Sequence, residues 1–224
     1  MFGLLNKNPR DSQPRRRPGD PMPDDADFRL SGFTTGTRIA TVAGWRPVEA
    51  LGVGDQVLTF DNGPQPVVAM THGAHFVAGD QVPAFATPLD VPAGAIGNED
   101  PMVLLPEQVV LVESDAAEAM IGDPFALIPA RTLVGFRGIE RFRSIRPVEV
   151  ITLHCENDEL VFADGGGLML APSTVPGTTS LDMLDAGGTP APYLTLRGAR
   201  ARILVAAMAE EDARSFGASS YAVA

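Results

Sequence analysis

Cysteine is almost absent: Cys155 stands alone in 224 residues. An intramolecular disulfide is therefore excluded, and with it the small secreted scaffold held together by bridges. Long apolar runs are also missing. No stretch approaches the ~18 consecutive apolar residues of a membrane-spanning helix. The start, MFGLLNKNPRDSQPRRRPGD, lacks the roughly 7–15-residue apolar segment of a secretory leader. These absences point to a cytoplasmic protein without membrane association, although a C-terminal secretion signal would escape this test. Positive charge is scarce: 17 Lys and Arg face 28 Asp and Glu, a net charge of −11. Nucleic acid is thereby argued against as a partner, since its phosphates require clustered cations. No repeat appears at the 20–50-residue periods of solenoids.

Turn-forming residues are abundant. The chain holds 23 Gly and 20 Pro, which favours many short strands over long helices. Residues 1–29 are rich in Pro, Asp and Arg without periodicity and read as a disordered arm. Within it, Arg15-Arg16-Arg17 reads as solvated charge balanced by Asp20, Asp24, Asp25 and Asp27, or as a basic contact patch. From Leu30 to about Gly177 the texture is strand and turn, so the fold class is all-β. Arg38–Val42 and Gln56–Phe60 alternate, and Asp61-Asn62-Gly63-Pro64 predicts a primed hairpin turn into a returning strand, Gln65–Met70. The stretch Leu89–Gly97 reads as irregular surface with short extended pieces. Met102–Leu105 and Val109–Glu113 are further strands. Val148–His154 and Glu159–Ala163 are expected to pair as a second hairpin across Glu156-Asn157-Asp158. Residues 178–224 are a polar linker followed by one long helix, Arg197–Phe216. Its apolar stripe is expected at Ile203, Leu204, Ala207 and Met208. A protein partner, whose identity is unknown, is expected to meet the chain through this helix.

Several blocks in order carry a resemblance to a known family. They are Gly36-Thr37-Arg38-Ile39-Ala40-Thr41, then Gly44, Arg46-Pro47-Val48-Glu49 and Gly54-Asp55-Gln56-Val57-Leu58-Thr59. Pro64-Gln65-Pro66-Val67, Ala93-Gly94-Ala95-Ile96-Gly97, Ile128-Pro129-Ala130-Arg131-Thr132-Leu133-Val134 and Asp158-Glu159-Leu160-Val161-Phe162-Ala163-Asp164-Gly165 follow. The whole resembles the hedgehog/intein (Hint) autoprocessing domains, in particular their bacterial group, over about residues 30–177. The resemblance implies a compact horseshoe of long, bent antiparallel strands.

It also implies a chemistry, autocatalytic peptide-bond cleavage. In these domains a first Cys, less often Ser or Thr, attacks the carbonyl just before it and turns the amide into a thioester or ester. A following His donates to the departing amide nitrogen as general acid. Here the nucleophile's position falls on Gly32, the His position on Gln108, and a closing His on Asp158. Glycine offers no nucleophile, and Gln hydrogen-bonds but does not transfer a proton near neutrality. The expectation is a degenerate domain acting as a structural or interaction module. The alternative is self-cleavage near residue 31 with Ser31 or Thr34 as substitute nucleophile. If the fold assignment holds, Gly32→Cys with Gln108→His is expected to gain some cleavage.

Other candidates are weaker. No cofactor and no metal site are expected. His72 and His75 are three apart, which on a strand places them on opposite faces, and no third ligand accompanies them. Cys155 reads as buried and structural, whereas His154 should face outward with Thr152 and Glu156. Asp55 should close a turn, and Trp45 should pack over the β-surface.

Overall fold

The computed structural model describes residues 30–75, 84–141, 148–173 and 193–221. The expectations for residues 1–29 and for the linker before residue 193 lie outside the described residues.

Two antiparallel sheets share the chain, which crosses between them repeatedly. In chain order the strands begin with β1 (Phe33–Thr34), β2 (Arg38–Thr41), β3 (Gly44–Pro47), β4 (Gln56–Thr59) and β5 (Gly63–Pro66). Then come β6 (Ala69–His75), β7 (Leu89–Val91), β8 (Met102–Leu104), β9 (Val109–Glu113) and β10 (Phe125–Pro129). The last are β11 (Glu140–Arg141), β12 (Val148–His154), β13 (Glu159–Ala163) and β14 (Gly167–Ala171). One sheet runs β11-β7-β8-β1-β12-β6, and the other runs β10-β9-β14-β13-β2-β4-β5 with β3 hung on β2. Consecutive strands β1 and β2, β8 and β9, and β12 and β13 belong to different sheets. The connections that change sheets therefore gather where the sheets meet.

The strand boundaries expected from alternation hold closely, but two pairings differ. β12 and β13 do not form a hairpin: β12 pairs with β1 and β6, while β13 pairs with β14, β2 and β4. The expected return strand Gln65–Met70 splits into β5, which pairs with β4, and the start of β6, which leaves for β12 in the other sheet. The turn before β5 is not of the primed two-residue kind either. Gly63 has φ +64, Asn62 is not among the positive-φ residues, and Thr59 pairs with Gly63. That leaves a three-residue loop, Phe60–Asn62, closed by glycine in the left-handed region.

The core between the sheets is aliphatic, with Ile39, Val57, Leu89, Leu104, Ile128, Leu153 and Val161 all fully buried. The Ala93–Gly97 stretch is irregular but not all surface: Ala95 and Ile96 join this core. Asn98 fixes it, accepting from Ile96 N at 3.1 Å and donating to Pro92 O at 3.0 Å and Asp100 O at 2.8 Å. Asp55 closes its turn as expected, accepting from Gly52 N at 2.8 Å and Arg46 Nη1 at 3.0 Å.

Among the described residues two α-helices complete the fold, α1 (Asp115–Ile121) and α2 (Gly198–Tyr221). The Ser114 hydroxyl caps α1 by accepting from Ala117 N at 3.0 Å, which satisfies one of its unpaired first-turn donors. Helix α2 docks on the β-domain. Leu196, Ala201, Leu204, Val205 and Met208 belong to the main core. The stripe is thus 201-204-205-208, rotated from the expected one, and Ile203 is 61% exposed. Arg137 ties the helix down, donating from Nε and Nη2 to the two oxygens of Asp212 at 2.7 Å each. Neither helix is long and apolar enough to cross a membrane.

Candidate functional site

The crossing from β8 to β9 carries Leu105-Pro106-Glu107-Gln108, and the residues entering β1 are Leu30, Ser31 and Gly32. The two segments lie against each other. Glu107 N donates to Leu30 O at 2.7 Å, and Gly32 N donates to Gln108 Oε1 at 2.8 Å. Gln108 is 2% exposed. Its amide nitrogen donates to Val109 O at 3.1 Å and to Leu170 O at 3.0 Å. The side chain therefore uses its acceptor on Gly32, just before β1, and both donor hydrogens on backbone carbonyls of β9 and β14.

Gly32 itself adopts φ +121. A Cβ placed on it would meet Val150 Cγ1 at 2.7 Å, Thr152 Oγ1 at 3.0 Å and Ile151 O at 3.2 Å. The position is shaped for glycine both by backbone conformation and by the closeness of β12. Ser31, Gly32, Gln108, Thr152, Pro172 and Arg197 line a cleft of about 240 Å³ at this place. On its rim Glu107 forms an ion pair with Arg131, and Arg197 Nη1 stands 3.5 Å from the same carboxylate.

Of the positions picked out from sequence, Gly32, Gln108 and Ser31 come together here. Thr34 does not: it is buried, and its hydroxyl donates to Val103 O at 3.2 Å. Asp158 is not among the cleft residues; its Oδ1 accepts from Ser173 N at 2.8 Å and Ser173 Oγ at 3.0 Å. His72 lies on β6 with Nδ1 3.9 Å from Glu149 Oε1, and His75 ends the same strand. Among the described residues no three His, Cys, Asp or Glu side chains are placed to hold a metal ion.

His154 and Thr152 do not face outward. They are 0% and 7% exposed, and His154 Nδ1 lies 3.1 Å from Pro172 O. Residues 150–154 of β12 are all buried, because this strand has protein on both faces and its alternation marks no wet side. Cys155 is buried as expected, and burial first, then the Glu159 charge, pushes its thiol up to about 11. Such a thiol is a poor source of thiolate. Sequence reasoning missed Thr152 and Arg197 as cleft residues. The first was misread as exposed, and the second lies beyond the linker, where no local signal ties it to residue 108.

The side chain at the expected His position meets the amide nitrogen of the bond preceding the expected nucleophile position. The sequence model of the Hint domain family matches residues 31–172, more than half of the chain. The chain belongs to the Hint domain family. No match was found among curated proteins.

Solved structures resemble this Hint domain at low identity. A bacterial intein-like domain from Clostridium thermocellum is 16% identical, with 63% of this chain and 99% of that one covered at a TM-score of 0.45. The MchDnaB-1 intein is 18% identical over 61% and 98%, TM-score 0.37. The gp41-1 intein is 12% identical over 63% and 98%, TM-score 0.39.

Proposed function

We propose that this Hint domain does not process itself and serves as a structural or interaction module. The observation that carries the reading is the Gly32–Gln108 pair. The position of the nucleophile has no side chain, and its backbone sits at φ +121 against β12. The residue contacting the amide nitrogen is a glutamine whose oxygen accepts from it. A leaving amine needs a proton delivered to that nitrogen, and a carboxamide has none to give near neutral pH. Cys155, the one thiol, is buried and held protonated well above neutrality.

One contact favours a second reading, cleavage between Leu30 and Ser31. The Leu30 carbonyl accepts from Glu107 N at 2.7 Å, a donor aimed where negative charge would grow in a tetrahedral intermediate. Against it, Glu107 is engaged by Arg131 and Arg197, so its carboxylate is a poor base for the Ser31 hydroxyl. The test is intact-mass measurement of the full chain incubated at neutral pH with thiol or hydroxylamine. The proposal expects one unchanged mass. Loss of the N-terminal arm at a single bond, before Ser31 or before Gly32, would overturn it.

A further inference from the structure

The cleft beside Gly32 holds a polar group that the fold leaves idle. Thr152 is 7% exposed and lines this cleft of about 240 Å³. Its hydroxyl has no hydrogen-bond partner among the described residues. Folded chains seldom leave a buried hydroxyl so, because the group has given up water for nothing. The glycine is what opens it to the cleft. Thr152 Oγ1 stands 3.0 Å from where a Cβ on Gly32 would lie, so any side chain at residue 32 would cover it.

The rim adds a positive charge. Glu107 faces two guanidinium groups, Arg131 and Arg197, and Arg131 is the nearer. The three carry one net positive charge in a chain whose total is −11. Arg197 stands 3.5 Å from the carboxylate, its side chain is 58% exposed, and its N–H groups make no hydrogen bond among the described residues. Val109, Leu170 and Pro172 give the cleft apolar walls. A cationic fork with idle donors, an apolar wall and one hydroxyl together suit a carboxylate joined to an apolar branch and a hydrogen-bonding group. The volume lies below the roughly 300–1,000 Å³ of clefts that take drug-sized ligands, so about one residue fits. An Asp or Glu within a peptide would bring chain on both sides and no apolar branch beside its carboxylate. The last residue of a chain carries a carboxylate, an apolar side chain and a peptide group on one carbon.

We propose that this cleft binds the C-terminal residue of a separate protein when that residue is apolar. Its carboxylate sits on Arg197, its side chain lies against Leu170 and Pro172, and its peptide group meets the Thr152 hydroxyl. The proposal rests on the reading of this domain as an interaction module and supplies the chemistry of the partner, capture of a free C-terminal carboxylate.

The experiment titrates the isotope-labelled full chain with acetyl-Gly-Gly-Leu and follows its amide shifts. The same peptide with a C-terminal amide is the control. The proposal expects saturable shifts at Gly32, Gln108, Thr152 and Arg197, with a dissociation constant of about 1 mM or tighter. The amide should bind about tenfold more weakly or worse, as loss of a charge-assisted contact does. R197Q should weaken the acid peptide about tenfold and T152V roughly threefold, whereas R202Q, at an exposed position of α2, should leave it unchanged. Both site variants should keep the parent's urea midpoint, because Arg197 is exposed and the Thr152 hydroxyl has no partner to lose. Equal binding of acid and amide, or binding unchanged in both R197Q and T152V, overturns the proposal. So does the absence of saturable shifts at about 20 mM acid peptide. Intact mass of the same samples separates the two readings. A cleaved chain that still binds overturns the loss of self-processing and keeps this site, while an uncleaved chain that does not bind overturns this site alone.

Discussion

Replacing Gly32 by alanine adds one methyl group and tests whether this position has become a glycine site. At φ +121 an L-residue is strained by roughly 1–2 kcal/mol. The new Cβ would stand 2.7 Å from Val150 Cγ1 and 3.2 Å from the Ile151 carbonyl oxygen. Both neighbours are fully buried in β12, so relief requires moving a central strand, and overpacking of this kind costs about 1–3 kcal/mol. Together the loss should be roughly 2–5 kcal/mol. With a urea m-value of about 2 kcal/mol/M, the midpoint should fall by about 1–2.5 M at unchanged slope. A G32A midpoint within about 0.3 M of the parent would refute the reasoning. The same geometry revises the expectation for G32C/Q108H. Restored side chains would meet a backbone that no longer fits the first of them, and the imidazole cannot replace all three contacts of Gln108. Intact mass should remain uncleaved, and cleavage by that variant would mean the backbone relaxes more easily than argued.

Removing Gln108 tests the other half of the pair. Q108L keeps the volume but leaves Gly32 N–H and two carbonyls without their partner, so chemical denaturation should register a loss of about 3 kcal/mol; a loss under 1 would mean water takes over. On helix α2, L204A removes a fully buried side chain from the main core and should cost about 2–5 kcal/mol, whereas I203A on the exposed side should stay within about 0.5. Equal effects would show that the helix does not dock as described. The Cys155 thiol, pushed up to about 11 by burial, should resist a thiol reagent at pH 8 in the native chain and react at once in denaturant. Its linkage has a definite sign. The folded state holds the proton more tightly, so this contribution is full below about pH 8.5 and is lost as pH rises toward 11. A C155A chain with the same alkaline slope as the parent would contradict that assignment.

Much of the architecture was legible in the sequence because it is local. An apolar run set the limits of Val109–Glu113, and alternation and turn signals set those of Val148–His154 and Glu159–Ala163; all three strands occupy those limits. The order of blocks set the family. What local pattern does not encode is which strand pairs with which. Glu156-Asn157-Asp158 reads as a hairpin turn, yet the chain there passes from one sheet to the other, because the choice between partners is made by the packed core and not by the four linking residues. His154 was misplaced for the same reason, since one-sided exposure holds only for a strand with one face in water. The helix stripe was displaced because periodicity fixes a spacing, while the direction of the face is set by what α2 packs against.

At the candidate site the sequence determined which groups are present: no side chain at Gly32 and a carboxamide at Gln108, whatever surrounds them. Only the tertiary structure decided how the two meet. Segments 76 residues apart meet so that Gln108 closes three backbone hydrogen bonds, and β12 presses on Gly32 closely enough to exclude a Cβ. Identity is a property of one residue, but fit depends on atoms supplied by strands remote in sequence.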